Sequence, residues 1–318
     1  MIIVTGGAGF IGSALVRSLL ADGIDVVVVD DVAADGPGQN LAGLDLRDHV
    51  GQDEFLRAVE RDPSTVLADA DAVLHQGACT STLEDDEAFL TRNNLDWSTA
   101  VLQACTLTAT PLVYASSAAV YGAGPAFAED PANEHPLNAY ARSKARFDDV
   151  VRATAGSRSS QVVGLRYFNV YGPGERHKGA MASMVLQLVD QVRRDGVARI
   201  FGAGAGAEAG QHRRDFVAVE DVVAVVRWFL SHGEVRGIFN CGTGTARTFQ
   251  ELAEAVVARL GTGRVEHVPF PKALDGAYQA STQADLARLR SVGCDHRFTP
   301  LELGVARYVD VLVAADRR

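Results

Sequence analysis

A tyrosine and a lysine four residues apart form the first pair of side chains that could move a proton. Tyr140 and Lys144 would lie on one face of a helix, because positions i and i+4 are neighbours there. A phenol with a pKa of about 10 is a poor base at neutral pH. A nearby ammonium group would lower that pKa, so that Tyr140 could take a proton from an alcohol while a hydride leaves the same carbon.

Two neighbouring serines could complete this group. Ser116 and Ser117 follow an apolar run, residues 112–115, that is typical of a buried strand. A hydroxyl at the carboxyl end of such a strand can hydrogen-bond the oxygen of the reacting alcohol. The sequence does not decide which of the two serines does so.

A cluster of glycines predicts a phosphate-binding loop. Residues 5–12 lie directly after the first apolar run and open a helical pattern. Glycines let the backbone turn sharply and approach a pyrophosphate, whose charge is favoured by the helix N-terminus. The residues expected to contact a dinucleotide here are Gly6, Gly9, Phe10, Ile11 and Gly12.

The acidic residues after the second apolar run bear on the choice of cofactor. Asp30 stands about twenty residues beyond the glycine cluster, where a carboxylate would bind the ribose hydroxyls of an adenosine. Asp31 adds a second carboxylate, and the two would repel a 2′-phosphate. Residues 32–39 contain no lysine or arginine to hold one. The sequence therefore favours NAD, with NADP as the second choice.

The order of the predicted elements indicates where these side chains meet. In the first half of the chain, short runs rich in Val, Ile and Leu alternate with helical patterns. The strands are expected at residues 2–5, 25–30, 72–75, 112–115 and 162–167. This alternation predicts an α/β fold with a doubly wound parallel sheet of the Rossmann type. The carboxyl ends of its strands share the edge where ligands bind.

The pattern changes after about residue 169, where helices dominate and the strands are short. Helices are expected at residues 180–195, 219–232 and 248–260, and strands at residues 199–201, 237–241 and 265–268. We therefore predict a dinucleotide-binding Rossmann domain over residues 1–168 and a smaller α/β substrate-binding domain over residues 169–318, with segments interleaved.

The composition excludes several classes of protein. The 318 residues carry a net charge of −10, which argues against a general nucleic-acid binder. No stretch supplies the ~20 mainly apolar residues of a membrane-spanning helix, and the first strand leaves no room for a signal peptide. The four cysteines are scattered, and neither His75 nor His177 has a second ligand at helical spacing. We expect a cytoplasmic protein with no metal and no nucleic-acid or membrane partner.

These motifs resemble the extended short-chain dehydrogenase/reductase family over nearly the full chain. Landmarks of that family's second domain are similar to residues 166–173, 214–217 and 239–244. The resemblance implies a nucleoside-diphosphate sugar substrate, a cofactor retained through the catalytic cycle, and a homo-oligomer. It assigns Asn169 to the substrate and Lys144 to both the cofactor ribose and the tyrosine.

The same resemblance implies further cofactor contacts in the middle of the chain. They fall at Gln76, Gly77, Ala78, Asn93 and Val170. Asn94 is the alternative to Asn93, which is preferred.

Within this family, three segments narrow the match to the ADP-heptose 6-epimerases: residues 76–82, 176–183 and 278–285. Those enzymes invert C6 of an ADP-bound heptose by oxidation and re-reduction. The carbonyl intermediate must present its other face to the same reduced nicotinamide, so two proton-transfer groups can serve the two epimers. The resemblance implies Tyr140 and Lys178 for these roles, and also a contact of Lys178 with the cofactor. A phosphate-binding or solvated lysine is the alternative.

Substrate contacts follow from the same resemblance. They are expected at Ser81, Asn169, Ala180, Gln187, Phe201, Arg214 and Tyr278. A guanidinium matches a diphosphate in a bidentate manner, which suits Arg214, with a surface salt bridge as the alternative.

Two departures from the pattern of the ADP-heptose 6-epimerases leave the identity of the substrate open. Gln187 stands where this group tends to have histidine, and residues 202–212 form a longer loop than usual. A UDP-sugar 4-epimerase, which would use Tyr140 and Ser117 without Lys178, is the alternative function. A non-catalytic NAD-binding regulator on the same fold is a third.

Overall fold

A computed structural model of the chain describes residues 1–31, 37–157, 159–271 and 278–315. Its strands, in chain order, are β1 (Ile2–Thr5), β2 (Val26–Val29), β3 (Asp48–Val50), β4 (Ala72–His75), β5 (Leu112–Ser117), β6 (Val162–Tyr167), β7 (Asn169–Tyr171), β8 (Val197–Phe201), β9 (Arg213–Arg214), β10 (Phe216–Ala218), β11 (Gly237–Cys241), β12 (Arg247–Thr248) and β13 (Arg264–Val268).

Its α-helices are α1 (Phe10–Ala21), α2 (Gln52–Arg61), α3 (Pro63–Val66), α4 (Glu87–Leu90), α5 (Trp97–Leu107), α6 (Ala139–Ala153), α7 (Met184–Asp195), α8 (Val219–Leu230), α9 (Phe249–Leu260), α10 (Ala287–Ser291) and α11 (Leu301–Ala315). A π-helical turn, Thr91–Asp96, leads into α5.

Seven parallel strands form the central sheet, in the order β11-β6-β5-β4-β1-β2-β3. The chain runs outward from β1 to β3, crosses back to β4, and then runs outward in the other direction. The gap between β1 and β4 is therefore the topological switch point, where doubly wound sheets bind ligands. The doubly wound α/β fold predicted from the sequence is confirmed.

Both faces of the sheet are covered, which explains why its strands consist of continuous apolar residues. The four residues of β2 are all valines, and all are buried. On one face α1 and α8 pack against the sheet in one core cluster, and on the other α2, α5 and α6 pack in a second. The strand β3 was not predicted, because this short edge strand is largely exposed and carries no apolar run.

The second lobe has its own core, formed by α7, α9 and α11 with β8 and β10. The strand predicted at residues 237–241 does not belong to this second core. Strand β11 pairs in parallel with β6 and completes the central sheet as its last strand. Position along the chain is a poor guide here, because the chain returns to the central sheet after forming β7, β8 and β10 outside it.

The helix expected at residues 180–195 begins only at Met184. The segment Arg176–Met181 before it forms a 3-10 turn instead, interrupted at Gly179 with φ 53°. Ser183 caps α7, since its hydroxyl accepts the amide of Leu186 at 3.5 Å. In the described part of the chain, no helix is both long and apolar enough to cross a membrane.

Candidate active site

A cleft of about 680 Å³ opens at the carboxyl ends of the central strands, between the two lobes. The ends of β1, β4, β5 and β6 meet there, as the strand order requires. The glycine cluster, Tyr140, Lys144 and Lys178 all line this cleft. The fold thus brings together groups that are far apart in the sequence.

The glycine cluster forms a tight loop at the first turn of the sheet. Gly6 has φ +64°, and a Cβ on Gly12 would lie 2.0 Å from the carbonyl oxygen of Gly6. The N-terminus of α1 follows, and Gly9 provides no side-chain cap for its first amides. Uncapped amides at a helix N-terminus suit a pyrophosphate. The predicted contacts Gly6, Gly9, Phe10, Ile11 and Gly12 all line the cleft, so this loop fits a dinucleotide.

The two acidic residues after β2 have different surroundings. Asp30 lines the cleft, and its carboxylate accepts the amide of Ala8 at 2.9 Å. Asp31 was expected beside the cofactor but does not line the cleft, because its carboxylate accepts the amide of Gln52 at 2.8 Å at the start of α2. Of the segment 32–39, whose lack of lysine and arginine favoured NAD, residues 32–36 lie outside the described residues.

The predicted tyrosine–lysine pair lies on one face of α6. Asn138 starts this helix by accepting the amide of Ala141 at 2.8 Å. Tyr140 and Lys144 are 8% and 6% exposed, and both line the cleft. The ammonium of Lys144 donates to the carbonyl of Ala115 at 3.0 Å, at the end of β5.

The charge states of this pair differ from the expectation. Burial raises the pKa of Tyr140, and a hydrogen bond with the Ser117 hydroxyl offsets this only in part. Lys144 was expected to lower that pKa, but its ammonium is directed to a backbone carbonyl. Burial lowers the pKa of Lys144 itself to about 8, against the opposing charge of Asp148. At neutral pH the ammonium form of Lys144 therefore still predominates.

The two serines at the end of β5 have different partners. The Ser116 hydroxyl donates to the buried carboxylate of Asp148 at 3.0 Å. Ser117 lies on the other face of the strand, as alternation requires, and its hydroxyl contacts the Tyr140 phenol. Both serines line the cleft, with Ser117 beside the Tyr140 phenol and Ser116 bonded to the buried Asp148.

Asp148 was missed by the sequence analysis. It is fully buried and also accepts the Tyr114 hydroxyl at 2.8 Å and the Arg166 guanidinium at 2.8 and 3.0 Å. The signal was present, since Asp148 continues the four-residue spacing of Tyr140 and Lys144 along one helix face.

The wall contributed by β4 and the π-helical turn contains the predicted cofactor contacts. Gln76, Gly77, Ala78 and Asn93 line the cleft. Asn94 is buried and instead holds the main chain of Cys79, accepting its amide at 2.8 Å and donating to its carbonyl at 3.1 Å. π-Helical turns of this kind frequently occur at functional sites.

Lys178 enters the cleft from the 3-10 turn Arg176–Met181. Its ammonium nitrogen lies 5.3 Å from the centroid of the Phe10 ring, at the start of α1. Burial lowers the pKa of Lys178, and the charge of Glu175 opposes the shift. Asn169 and Val170, in β7, line the same cleft.

Arg214 lies at the second-lobe end of the cleft and is 7% exposed. Its guanidinium carbon is 4.7 Å from the ring centroid of Tyr278 and 5.7 Å from that of Phe249. No carboxylate within the described ranges forms an ion pair with it, which excludes the surface salt bridge there. Burial without an anionic partner lowers the pKa of Arg214.

The other predicted substrate contacts do not line the cleft: Ser81, Ala180, Gln187, Phe201 and Tyr278. The Gln187 amide donates to the carbonyls of Ala180 and Ala182, at 3.2 and 2.8 Å, which fixes the turn before α7. Phe201 packs on Tyr278 with ring centroids 6.2 Å apart.

Several cleft residues were not assigned a role from the sequence, although most of them lie in the segments that carried the family resemblance. They include Cys79, Thr80, Thr82, Phe89, Phe168, Met181, Gln279 and Thr282. The described residues contain no group of three or more histidine, cysteine or acidic side chains placed to hold a metal ion.

The comparison with protein families decides the class. The model of the "NAD dependent epimerase/dehydratase family" matches residues 2–242, which include the glycine loop, Tyr140, Lys144 and Lys178. The chain belongs to this family.

Individual members of the epimerase/dehydratase family match along the whole chain. An ADP-L-glycero-D-manno-heptose-6-epimerase of Alkalilimnicola ehrlichii is 48% identical over 316 residues, covering 99% of this chain and 98% of the relative. The crystal structure of the Helicobacter pylori ADP-L-glycero-D-manno-heptose-6-epimerase matches with a TM-score of 0.83 and 27% identity, over 98% of this chain and 96% of that one. The UDP-glucose 4-epimerase of Thermus thermophilus, in complex with NAD, matches with a TM-score of 0.80 and 29% identity, over 99% of both chains.

Proposed function

We propose that this protein is a sugar-nucleotide epimerase that converts ADP-D-glycero-β-D-manno-heptose to the L-glycero epimer by transient oxidation at C6. The observation that carries the proposal is the presence of two proton-transfer candidates, Tyr140 and Lys178, in one cleft with a dinucleotide-binding loop. The 48% identity to a heptose 6-epimerase over nearly the full chain supports the choice of sugar and nucleotide.

The cofactor in this proposal is NAD, retained through the cycle. A bound nicotinamide supplies a hydride acceptor and returns the hydride to the same carbon. The uncapped start of α1 would hold the pyrophosphate, and the Asp30 carboxylate would bind the adenosine ribose. Asn93 and Lys144 would contact the nicotinamide half, since both line the same cleft as Tyr140.

The proton chemistry divides between two side chains. Burial raises the pKa of Tyr140 and lowers the pKa of Lys178. The phenol therefore keeps its proton at neutral pH, and the amine loses its proton more easily than an exposed lysine. Ser117 holds the phenol, and the Lys144 ammonium stands one turn further along α6. Two such groups can serve the two faces of the carbonyl intermediate.

Arg214 would bind the diphosphate of the substrate. Arg214 lines the cleft, its guanidinium contacts two aromatic rings, and no carboxylate in the described segments neutralises it. A buried cation of this kind gains most from a phosphate, because the bidentate hydrogen bonds are charge-assisted.

The proposal is tested by proton NMR of the purified enzyme with ADP-D-glycero-β-D-manno-heptose and no added cofactor. Appearance of the L-glycero epimer establishes the reaction and the retained cofactor together. No conversion, even after NAD and then NADP are supplied, contradicts the assignment of this sugar.

Two variants test the residue roles. Tyr140→Phe and Lys178→Met should each lower kcat by roughly 10²- to 10⁴-fold, the usual contribution of a positioned acid or base. The matched control is Arg176→Met in the same turn, whose side chain is 58% exposed and pairs with Asp190. A UDP-sugar 4-epimerase would turn over UDP-glucose and would keep its activity in Lys178→Met.

A further inference from the structure

Glu175 stands immediately before the turn that carries Lys178, and the proposed mechanism does not use it. Its carboxylate is completely buried, with 0% exposure. A charge without solvent must be satisfied by donors, and a buried carboxylate is retained only where its hydrogen bonds are well formed. Its partners therefore indicate what it holds in place.

The donors come from both ends of the Lys178 turn. Ser183, eight residues further along, donates its amide to Oε2 and its hydroxyl to Oε1, both at 2.5 Å. The amide of Gly172, before the turn, approaches Oε1 at 3.5 Å. The Glu175 side chain thus joins the two ends of the segment that contains Lys178.

The C-terminal helix also approaches this carboxylate. Burial and the nearby charge of Glu175 raise the pKa of the Tyr308 phenol, in α11, which is only 3% exposed. The turn itself is held by the Lys178 amide, which donates to the Glu175 carbonyl at 2.9 Å. The backbone between is unusual, since Gly179 adopts φ 53°. A short turn with a left-handed residue has few contacts of its own, so its ends determine its position.

We propose that Glu175 is a positioning residue, which joins the two ends of the turn carrying Lys178 and so determines where the Lys178 amine lies in the cleft. The inference rests on the proposed role of Lys178. The carboxylate itself does not line the cleft. It holds the two ends of the turn, and its charge also opposes the lowering of the Lys178 pKa by burial.

The decisive variant is Glu175→Gln, which keeps the size of the side chain but replaces one acceptor oxygen with a donor. The amide group would face the Ser183 amide or hydroxyl, where the carboxylate now accepts both. We expect kcat for epimerisation to fall roughly 100-fold, the scale for misplacing a reacting group by about 1 Å. Affinity for ADP should stay within about twofold, because Arg214 lies outside the turn.

A double-mutant cycle separates positioning from general destabilisation. In a Lys178→Met background, Glu175→Gln should lower kcat hardly any further, since the group that it positions is already absent. If Glu175→Gln lowers kcat by the same factor in the wild type and in Lys178→Met, the proposal is overturned. Asp190→Asn, which removes only the exposed partner of Arg176, is the matched control.

Hydrogen exchange gives a readout that needs no substrate. Peptides covering residues 176–182 should exchange faster in Glu175→Gln, and those of α6 should not. Unchanged exchange would contradict the inference even if the enzyme has another substrate, whereas faster exchange with no heptose turnover in the wild type would reject only the proposed function. If Glu175→Gln does not fold, Ser183→Ala removes the hydroxyl donor to Oε1 and should increase exchange of the same peptides.

Discussion

Replacing Arg214 by methionine should weaken substrate binding without weakening the fold. The residue is buried, with 7% exposure, and the described structure gives its guanidinium no anionic partner. Loss of charge-assisted hydrogen bonds to the diphosphate should cost about 1.5–3 kcal/mol. At about 1.4 kcal/mol per tenfold change, ADP should bind roughly 10- to 150-fold more weakly.

The free energy of unfolding should respond differently. The variant loses cation–π contacts with Tyr278 and Phe249, worth about 2 kcal/mol each for a desolvated cation. It also no longer buries an unpaired charge, which offsets that loss. We therefore expect the stability of the free protein to change by no more than about 1 kcal/mol.

Calorimetric titration with ADP and with adenosine is the assay. Arg214→Met should lose affinity for ADP and keep its affinity for adenosine, which has no phosphate. The matched control is Arg213→Met, because Arg213 is the exposed neighbour on the same strand. An Arg214 variant that binds ADP as tightly as the wild type would refute the diphosphate assignment. Equal losses for ADP and adenosine would show that the change acts through the fold.

Three further outcomes are expected. Gly12→Ala would place a Cβ 2.0 Å from the Gly6 carbonyl oxygen, so the purified variant should release much less bound dinucleotide on denaturation, as measured by chromatography. Because the pKa of Lys144 is lowered to about 8, its ammonium is present below that pH and is lost above it, so kcat/KM should fall as the pH rises through about 8; a rate that stays constant well above that value would contradict this role. Ser117→Ala should lower kcat by roughly 10²-fold with little change in melting temperature. Ser116→Ala should mainly lower the free energy of unfolding, by about 1–3 kcal/mol. The opposite result would show that the proposed roles of the two serines are reversed.

Features that depend on local geometry were predictable from the amino-acid sequence. The glycine loop could be predicted because tight turns and helix starts are set by neighbouring residues. The common face of Tyr140 and Lys144 follows from the helical repeat alone. The apolar strands were predictable for a similar reason, since burial on both faces leaves a continuous run in the chain.

Packing between distant segments selects which groups meet, and the sequence does not contain that information in any local pattern. Ser116 and Ser117 are equivalent in the sequence, and their partners differ because adjacent strand residues face different neighbours. Asp31 follows Asp30 directly, yet the packing of α2 withdraws it from the cleft. Both differences depend on which elements each side chain faces, and those elements are far away in the chain.

The electrostatics of the site also came from the fold. Spacing alone suggested that Lys144 lowers the pKa of Tyr140, but burial raises it. Desolvation depends on how deeply the packed lobes cover a group, and contacts such as that of Glu175 with Ser183 and Tyr308 join segments with no common local pattern. The residue types set the available chemistry, and tertiary packing set the environment in which each group acts.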